Sequence, residues 1–205
     1  MLPVLRHEPL SDTGFRADQS HSLYLGLAAN ADDIRAAQRL RHQVFIEEMG
    51  ALIEGNEQGI ESDHFDPYCQ HLLVRDAAAG DRVAGCYRIL THTQAARAGG
   101  YYSESEFDLG EIFSLPGRFM EVGRTCVHPD YRNGATIALL WRGLARFMVM
   151  HRFDYLMGCA SIPLNSGVDF VIDLYRTLAR THLAPPGRRV YPRLPLLGLH
   201  PGLHQ

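Results

Sequence analysis

Lysine is absent from this chain of 205 residues, and all 20 of its basic residues are arginine. The absence excludes a P-loop lysine, a pyridoxal Schiff base and a lysine nucleophile, because each of these needs a lysine amine. Long apolar runs are absent too, and none reaches the roughly 18 residues that a membrane-spanning helix needs. Neither sign of charge dominates, since the formal net charge is -3. The overall charge therefore gives no reason to expect a nucleic-acid partner.

Cysteine is scarce as well. The four cysteines are widely spaced and form no CxxC pair, at Cys69, Cys86, Cys126 and Cys159. The last three lie in or beside apolar runs, where a reduced thiol packs as a small core residue, and a disulfide framework is not expected in a chain of this size. The N-terminal segment also lacks the apolar core of a secretory signal. These features predict a protein of the reducing cytoplasm.

Histidine is plentiful, with eleven residues, and raises the question of a metal site. His64, Cys69 and His71 do not have the spacing of metal ligands, so we expect no metal ion. Cys126 and His128 share one face of a predicted strand, but no third group to orient the imidazole is visible. The sequence therefore does not favour thiol catalysis at this pair.

The hydrophobic pattern predicts one domain over residues 22–183, between a loose tail over 1–21 and a proline-rich tail over 184–205. The predicted strands are Ser22–Ala29, His71–Asp76, Arg82–Thr91, Phe119–His128 and Tyr155–Ser161. The predicted helices are Ala31–Met49, Gly134–Met150 and Val168–Ala179. The second helix has a predicted buried stripe of Ile137, Leu140, Trp141, Leu144 and Phe147. This order indicates a mixed α/β layer protein.

Charge is concentrated at two places against this apolar background. In the strand over Phe119–His128, a carboxylate at Glu121 and a guanidinium at Arg124 are flanked by apolar residues, and such groups are costly to bury unpaired. Alternation places them on opposite faces unless a bulge changes the phase. The loop over 132–136 then opens a helix, where free N–H groups favour a phosphate. Taken alone, that loop is more typical of a simple capped helix start than of a phosphate site.

The second concentration is a loop rich in carboxylates, which lies between the first helix and the next strand. Its acidic residues are Glu57, Glu61, Asp63 and Asp66. Arg41 on the preceding helix and Arg88 in a later strand are the cations that can meet them. A set of carboxylates and arginines of this kind is either a structural network or part of a catalytic site, and the residues alone leave both interpretations open.

Together these residues resemble a known family. The pattern Arg41-x-x-x-Phe45, Asp63-x-x-Asp66, Arg88 and Glu121-x-x-Arg124 is similar to the charged signature of the N-acyl-homoserine lactone synthases. The phrases LRHQVFIEEMGA, ESDHFDPYCQHLLV, GGYYSESEFDL and MEVGRTCVHPDYRNGATIALLWRGLARF resemble their relatives, the L-ornithine N-alpha-acyltransferases, more closely. The resemblance runs from about residue 36 to residue 161. It implies the α/β fold of the GCN5-related N-acyltransferases, with splayed parallel strands and a sheet expected to be incomplete at the C-terminus, because family members usually continue further.

The resemblance also implies an activity, namely transfer of a 3-hydroxyacyl chain from acyl carrier protein to the α-amine of ornithine. It implies no cofactor other than this acyl donor, and the single Gly134 in the donor loop favours acyl carrier protein over coenzyme A. Members of the family act in lipid synthesis, so we expect a cytoplasmic protein able to lie at the inner face of the membrane. The neighbouring activities, homoserine lactone synthesis and long-chain N-acyl amino acid synthesis, stay open, as does an inactive remnant that only binds the carrier protein.

The site residues implied by the resemblance fall into three groups. The catalytic group is Glu121 as the base that takes the amine proton, with Arg124, Asp66 and Arg88. The substrate-binding group is Arg41, Phe45 and Asp63, although the arginines can equally hold the carboxylates in place. The donor-binding group is Val127, Arg132, Asn133, Gly134, Ala135 and Thr136. A basic strip of Arg132, Arg142, Arg146 and Arg152 is either a solvated helix face or a docking surface for the acidic carrier protein.

Overall fold

The computed structural model describes residues 23–51, 59–162 and 167–194. The predicted tail over 1–21 lies outside these ranges, as do Glu57 and the last part of the proline-rich segment. The strands are β1 (Leu23–Leu27), β2 (Gln70–Asp76), β3 (Arg82–Thr91), β4 (Phe107–Asp108), β5 (Phe119–Val127), β6 (Tyr155–Met157) and β7 (Tyr191–Pro192). The α-helices are α1 (Ala31–Arg41), α2 (His92–Ala98), α3 (Ser103–Glu106), α4 (Gly110–Phe113), α5 (Ala135–His151) and α6 (Val168–His182).

The main sheet has five strands in the order β1-β2-β3-β5-β6. The pairs β1–β2, β2–β3 and β3–β5 are antiparallel, and the pair β5–β6 is parallel. Helix α5 packs on one face, where Leu140 and Leu144 join the largest buried apolar cluster. Helix α1 packs on the other face through Ala37 and Leu40. The sheet is thus covered by one helix on each side, and the predicted α/β architecture is confirmed.

Helix α1 begins where the sequence predicts, because the Asn30 side chain accepts a hydrogen bond from the Asp33 N–H at 3.0 Å. After Arg41 the chain continues as a π-helical segment, His42–Glu48, and stops before Gly50, whose φ is +68°. The wider turn shifts the side chains after Arg41 relative to a regular helix. It brings Val44 and Phe45 to the edge of β5, where they help to line the cleft described below.

Three sequence predictions need correction. The strand predicted over Tyr155–Ser161 ends at Met157, because the chain leaves the sheet there. Trp141 was expected in the core, but its exposed fraction is 52%, since it projects toward the cleft rather than into the sheet. Cys159 was expected in the core as well and is exposed at the cleft wall.

The stretch over 97–117, which the sequence left unassigned, contains three short helical or extended elements. It is held by the start of the proline-rich segment, where β4 pairs with β7. The Arg189 N–H also donates to Glu111, at 2.8 Å, and the Arg193 N–H donates to the Glu106 carbonyl oxygen, at 2.8 Å. The predicted division into tail, domain and tail stays a prediction.

A membrane-crossing helix is not found in the described ranges, where every helix is too short or too polar to span a bilayer.

Candidate active site

A cleft opens where two central strands separate. β5 and β6 pair from Phe119 with Tyr155 as far as Glu121 with Met157, and β5 then continues to Val127 paired only with β3. The cleft between them has a volume of about 930 Å³. Its lining includes both sides of the opening, with Glu121, Val127 and Gly158 among them. The wedge-shaped opening implied by the family resemblance is therefore present beside residue 127.

Gly158 is required at the point where the strands part. A Cβ atom there would collide with the carbonyl oxygen of Val122 on β5. Only a glycine lets the chain after β6 pass this close to β5 before it turns away.

A β-bulge in β5 sets the direction of the charged side chains. The register between β3 and β5 shifts opposite Tyr87, and Arg124 has a positive φ of 51°. The bulge changes the phase of the strand, so that Glu121 and Arg124 both contact Tyr102. Simple alternation would have placed these two charges on opposite faces of the sheet.

A buried charge network lies beneath this face of the sheet. Arg41 has an exposed fraction of 1%, donates from Nη1 to Asp66 at 2.9 Å, and forms an ion pair with Glu61. Gln38 adds a hydrogen bond to Asp66 at 2.9 Å. Arg88 donates to Asp66 at 2.9 Å from the other side, so one carboxylate joins α1 to β3.

Arg124 completes the network from β5. Its Nε donates to Glu61 and its Nη2 donates to Asp63, both at 3.0 Å. Asp63 also accepts from Arg88. Three arginines therefore meet three carboxylates, and together they fasten the acidic loop to three elements of the fold.

Electrostatics favour the charged forms of Asp66, Arg41 and Arg88. Although burial opposes it, hydrogen bonding and charge attraction from Arg41 hold the pKa of Asp66 well below its usual range. The pKa of Arg41 is raised correspondingly against the effect of burial, and so is that of Arg88, mainly through the charge of Asp63. The sequence left open whether these groups act in catalysis or in structure. Their mutual pairing favours a structural role for the buried members.

The predicted site residues divide according to whether they line the cleft. Arg88 and Arg124 line the cleft, and Phe45 lies at its edge. Arg41 and Asp66 lie behind the cleft wall instead, because their charged atoms are taken up by each other. Direct contact of these two with a ligand, which the resemblance implied, is therefore not supported by their position.

Glu121 stands apart from the network. It is buried, with an exposed fraction of 5%, and it lines the cleft. Its two carboxylate oxygens accept hydrogen bonds from the backbone N–H groups of Tyr102, at 2.8 Å, and Ser103, at 2.7 Å. These bonds fix the carboxylate at the start of α3 without neutralising it with a cation.

Of the predicted donor loop, Arg132 lines the cleft, as does Val127, and residues 133–136 do not. Gly134, with a φ of +89°, precedes α5, and the Asn133 side chain accepts from the Ala135 N–H at 3.1 Å. Arg132 donates to both oxygens of Glu48, at 2.6 and 2.7 Å, and to the Val127 carbonyl. The Arg132 guanidinium is thus positioned beside the cleft by an exposed carboxylate.

Thr136, the last residue of the predicted donor loop, has a fully buried side chain. Its methyl group lies against Gly85, and its hydroxyl has no hydrogen-bond partner among the described residues. Only its backbone N–H, in the first turn of α5, is left to contribute to the donor loop.

Several lining residues were not predicted as site residues from the sequence, namely Tyr102, Glu106, Trp141, Gly158 and Cys159. Tyr102 and Glu106 fall within the phrase GGYYSESEFDL, which carried part of the family resemblance. Their spacing on a short helix gave no independent signal of a site.

Comparison with known proteins agrees with this geometry. Residues 40–142 match the family described as acetyltransferase (GNAT) domain. The AHL synthase LasI has a similar fold, with a TM-score of 0.51 and 17% identity over 80% of each chain. FeeM, an N-acyl amino acid synthase from uncultured soil microbes, also gives a TM-score of 0.51, with 15% identity over 72% of this chain and 76% of that one. Fold and cleft thus define an acyltransferase of the GNAT class.

Two relatives identify the branch of that class, and both are named L-ornithine N(alpha)-acyltransferase. The protein of Rhodobacter capsulatus is 42% identical over 178 residues, which cover 82% of this chain and 67% of that protein. The protein of Rhizobium meliloti is 44% identical over 145 residues, which cover 67% of this chain and 49% of that protein. The chain belongs to the L-ornithine N(alpha)-acyltransferase family, which confirms the resemblance seen in the sequence. It spans between about half and two thirds of the length of these relatives.

Proposed function

We propose that this protein transfers a 3-hydroxyacyl chain from acyl carrier protein to the α-amine of L-ornithine. The observation that carries the proposal is the parting of β5 and β6 around a cleft lined by Glu121. An extended donor arm can lie along the edge of β5 that faces away from β3, because the pairing with β6 on that edge stops at Glu121. The choice of ornithine as the acceptor is supported by the relatives, which are named L-ornithine N(alpha)-acyltransferase.

The reaction is an acyl transfer from sulfur to nitrogen. The neutral α-amine attacks the carbonyl carbon of the thioester, a C–N bond forms, and the C–S bond breaks. The pantetheine thiolate leaves with the electron pair and is protonated, while the amine proton passes to a base. Backbone N–H groups of β5 near Val127 stabilise the oxyanion of the tetrahedral intermediate, which forms after the amine attacks and before the thiolate leaves.

Glu121 is the base in this proposal. Each of its oxygens accepts one backbone hydrogen bond, which leaves further lone pairs for the amine proton, taken directly or through a water molecule. Its fixed position beside the point where the strands part lets it face both reactants. Arg88 and Arg124 contact the carboxylate of the acceptor, whereas Asp66 and Asp63 hold these two arginines in place and Arg41 holds Asp66.

The donor end supports a carrier protein over coenzyme A. A single glycine, Gly134, opens α5, and a loop of this size suits the one phosphate of a carrier-bound pantetheine. Arg142 and Arg146 are exposed on α5 and continue the basic surface that begins at Arg132. This surface is suited to an acidic carrier protein. We place the reaction in the cytoplasm, at the inner face of the membrane where a lipid product would enter.

An acceptor panel tests the proposal. The purified protein is incubated with 3-hydroxyacyl-[acyl carrier protein] or the matching acyl-coenzyme A, and the released thiol and the acylated product are quantified by mass spectrometry. We expect release with ornithine and the carrier donor. Release of thiol only with S-adenosylmethionine would instead assign a lactone synthase. Equal acylation of neutral amino acids would assign an N-acyl amino acid synthase. Tight carrier binding without any release would assign a binding protein.

A further inference from the structure

Glu106 differs from the other acidic groups at the cleft. In the described ranges its carboxylate has one hydrogen bond, from the Tyr102 hydroxyl at 3.2 Å, and no cation within ion-pair distance. Glu121 is held by two backbone N–H groups, and the acidic loop residues are paired with arginines. Glu106 is exposed and lines the cleft. It therefore presents a negative charge that the fold itself does not neutralise.

Tyr102 places Glu106 relative to the reaction centre. Its backbone N–H donates to Glu121, and its hydroxyl donates to Glu106. The two carboxylates are thus held at opposite ends of one tyrosine. Burial raises the pKa of the Cys159 thiol, and the charges of Glu121 and Glu106 raise it further. Both carboxylates therefore act on the same part of the cleft wall.

The backbone of Glu106 is fixed, so that its charge has a defined position. The residue ends α3, directly before β4, and β4 pairs with β7. The Arg193 N–H donates to its carbonyl oxygen at 2.8 Å, and the Arg193 Nε donates to the Glu104 carbonyl oxygen at 2.6 Å. A carboxylate on a fixed backbone can discriminate between ligands by how far their positive charge lies from the reacting group.

We propose that Glu106 binds the side-chain ammonium of the acceptor amino acid and so makes the enzyme specific for a diamino acid of ornithine's length. The inference rests on the proposed function. The acceptor carries two amines and one carboxylate, and the cleft offers a matching arrangement. Glu121 faces the reacting α-amine, Arg88 and Arg124 face the carboxylate, and Glu106 faces the second amine. A charge-assisted hydrogen bond to that amine separates ornithine from neutral amino acids of the same shape.

The experiment measures kcat and KM for ornithine and for norvaline, which has the same carbon chain without the second amine. The donor is 3-hydroxyacyl-[acyl carrier protein]. For Glu106→Gln we expect kcat/KM for ornithine to fall about 10- to 100-fold, mainly through KM, while norvaline changes little. Glu47→Gln, which removes an exposed carboxylate outside the cleft lining, is the matched control and should leave kcat/KM for both acceptors unchanged.

A second variant separates recognition from folding. Glu106→Asp keeps the charge but withdraws it by one methylene group. Lysine has a side chain one methylene longer than that of ornithine, so the ratio of kcat/KM for lysine to kcat/KM for ornithine should rise. If Glu106 had only a structural role, the substitution would lower kcat/KM for ornithine and for lysine equally.

The possible failures are distinguishable. If wild-type protein does not acylate ornithine, the proposed function fails. If wild-type protein prefers ornithine and Glu106→Gln keeps that preference over norvaline, only the role of Glu106 fails. An unchanged ratio of ornithine to lysine in Glu106→Asp would likewise overturn it.

Discussion

Two glutamates from different elements accept hydrogen bonds from the same short backbone segment, residues 101–103, and they show how neighbouring carboxylates receive different tasks. Glu121 accepts backbone N–H groups of Tyr102 and Ser103 and lines the cleft. Glu104 accepts the N–H of Tyr101 at 2.6 Å, but it faces a smaller, separate pocket. Both stabilise the backbone around α3, and only the first can reach a substrate in the cleft. The pair therefore allows the structural and chemical contributions of a carboxylate to be measured separately.

Replacing Glu121 by glutamine should abolish turnover. The amide cannot accept the amine proton, so kcat should fall by about 10²- to 10⁴-fold, the usual effect of removing a general base. The variant also presents an amide NH₂ to a backbone N–H and should lose about 1–3 kcal/mol of stability. Steady-state kinetics and thermal unfolding measure these two effects.

Glu104→Gln is the control for this loss of stability, because it disturbs the same segment. It should lower the unfolding temperature but keep kcat within a few-fold of wild type. Comparable inactivation of both variants would show that Glu121 acts only by holding the backbone, and full activity of Glu121→Gln would remove it as the base.

At the scale of elements, the parting of β5 and β6 is the feature that creates the cleft. The two strands share three register pairs, and the chain then passes the Val122 carbonyl at Gly158. Gly123, opposite on β5, also lines the cleft, yet a Cβ there would meet no atom within 4 Å. Substitution by alanine therefore adds the same methyl group at a crowded position, Gly158, and at an open position, Gly123.

Gly158→Ala should disturb the parting strands. The added methyl group must displace backbone, and overpacking of this kind costs about 1–3 kcal/mol. For a chain of this size each kcal/mol lowers the unfolding temperature by about 2–4 °C. Differential scanning fluorimetry and carrier-donor binding should both detect the change. Gly123→Ala should unfold at the wild-type temperature, and equal stability of the two variants would contradict the close approach of Gly158 to β5.

Most elements were predictable from sequence because their signals are local. β3 was predicted over its observed range, and α1 and α5 were predicted to start within one residue of where they do. The end of β6 was not, since an apolar run cannot show where a strand loses its hydrogen-bonding partner. The short helices around Tyr102 were also missed, because they are held by contacts with Glu121 and with β7 rather than by an apolar periodicity.

At the scale of the whole molecule, the buried charge network joins parts of the chain that are far apart in sequence. Asp66 on the acidic loop binds Arg41 of α1 and Arg88 of β3, and the network extends through Glu61 to Arg124 of β5. Removing one member leaves a charge buried without its partner. The stability of the molecule should therefore depend on the ionisation of Asp66.

Acid should destabilise the protein through this residue. The pKa of Asp66 is depressed in the folded state, whereas an unfolded aspartate has a pKa near 3.9. The unfolded chain takes up the proton first, so the contribution is complete above about pH 4 and is lost as the pH falls from there. Urea unfolding from pH 7 to pH 2 should show this decline in the free energy of unfolding.

Asp66→Asn should be about 3–5 kcal/mol less stable at pH 7 and should show a shallower decline below about pH 4. Asp32→Asn serves as the control, because Asp32 is 90% exposed and its pair with Arg35 contributes little. A decline in Asp66→Asn as steep as in wild type would assign the acid sensitivity to other groups.

The sequence by itself determined the order of the main strands and helices, the family, and the charged residue types of the site, because periodicity, caps and motifs are properties of neighbouring residues. Only the tertiary structure decided which charges neutralise one another and which face the cleft. Arg41 and Asp66 share a motif with Arg124 and Glu121, yet the first two are buried together and the last two reach the opening. That division depends on a bulge in β5 and on the loop packed beneath it, and these bring together groups up to 63 residues apart in the chain.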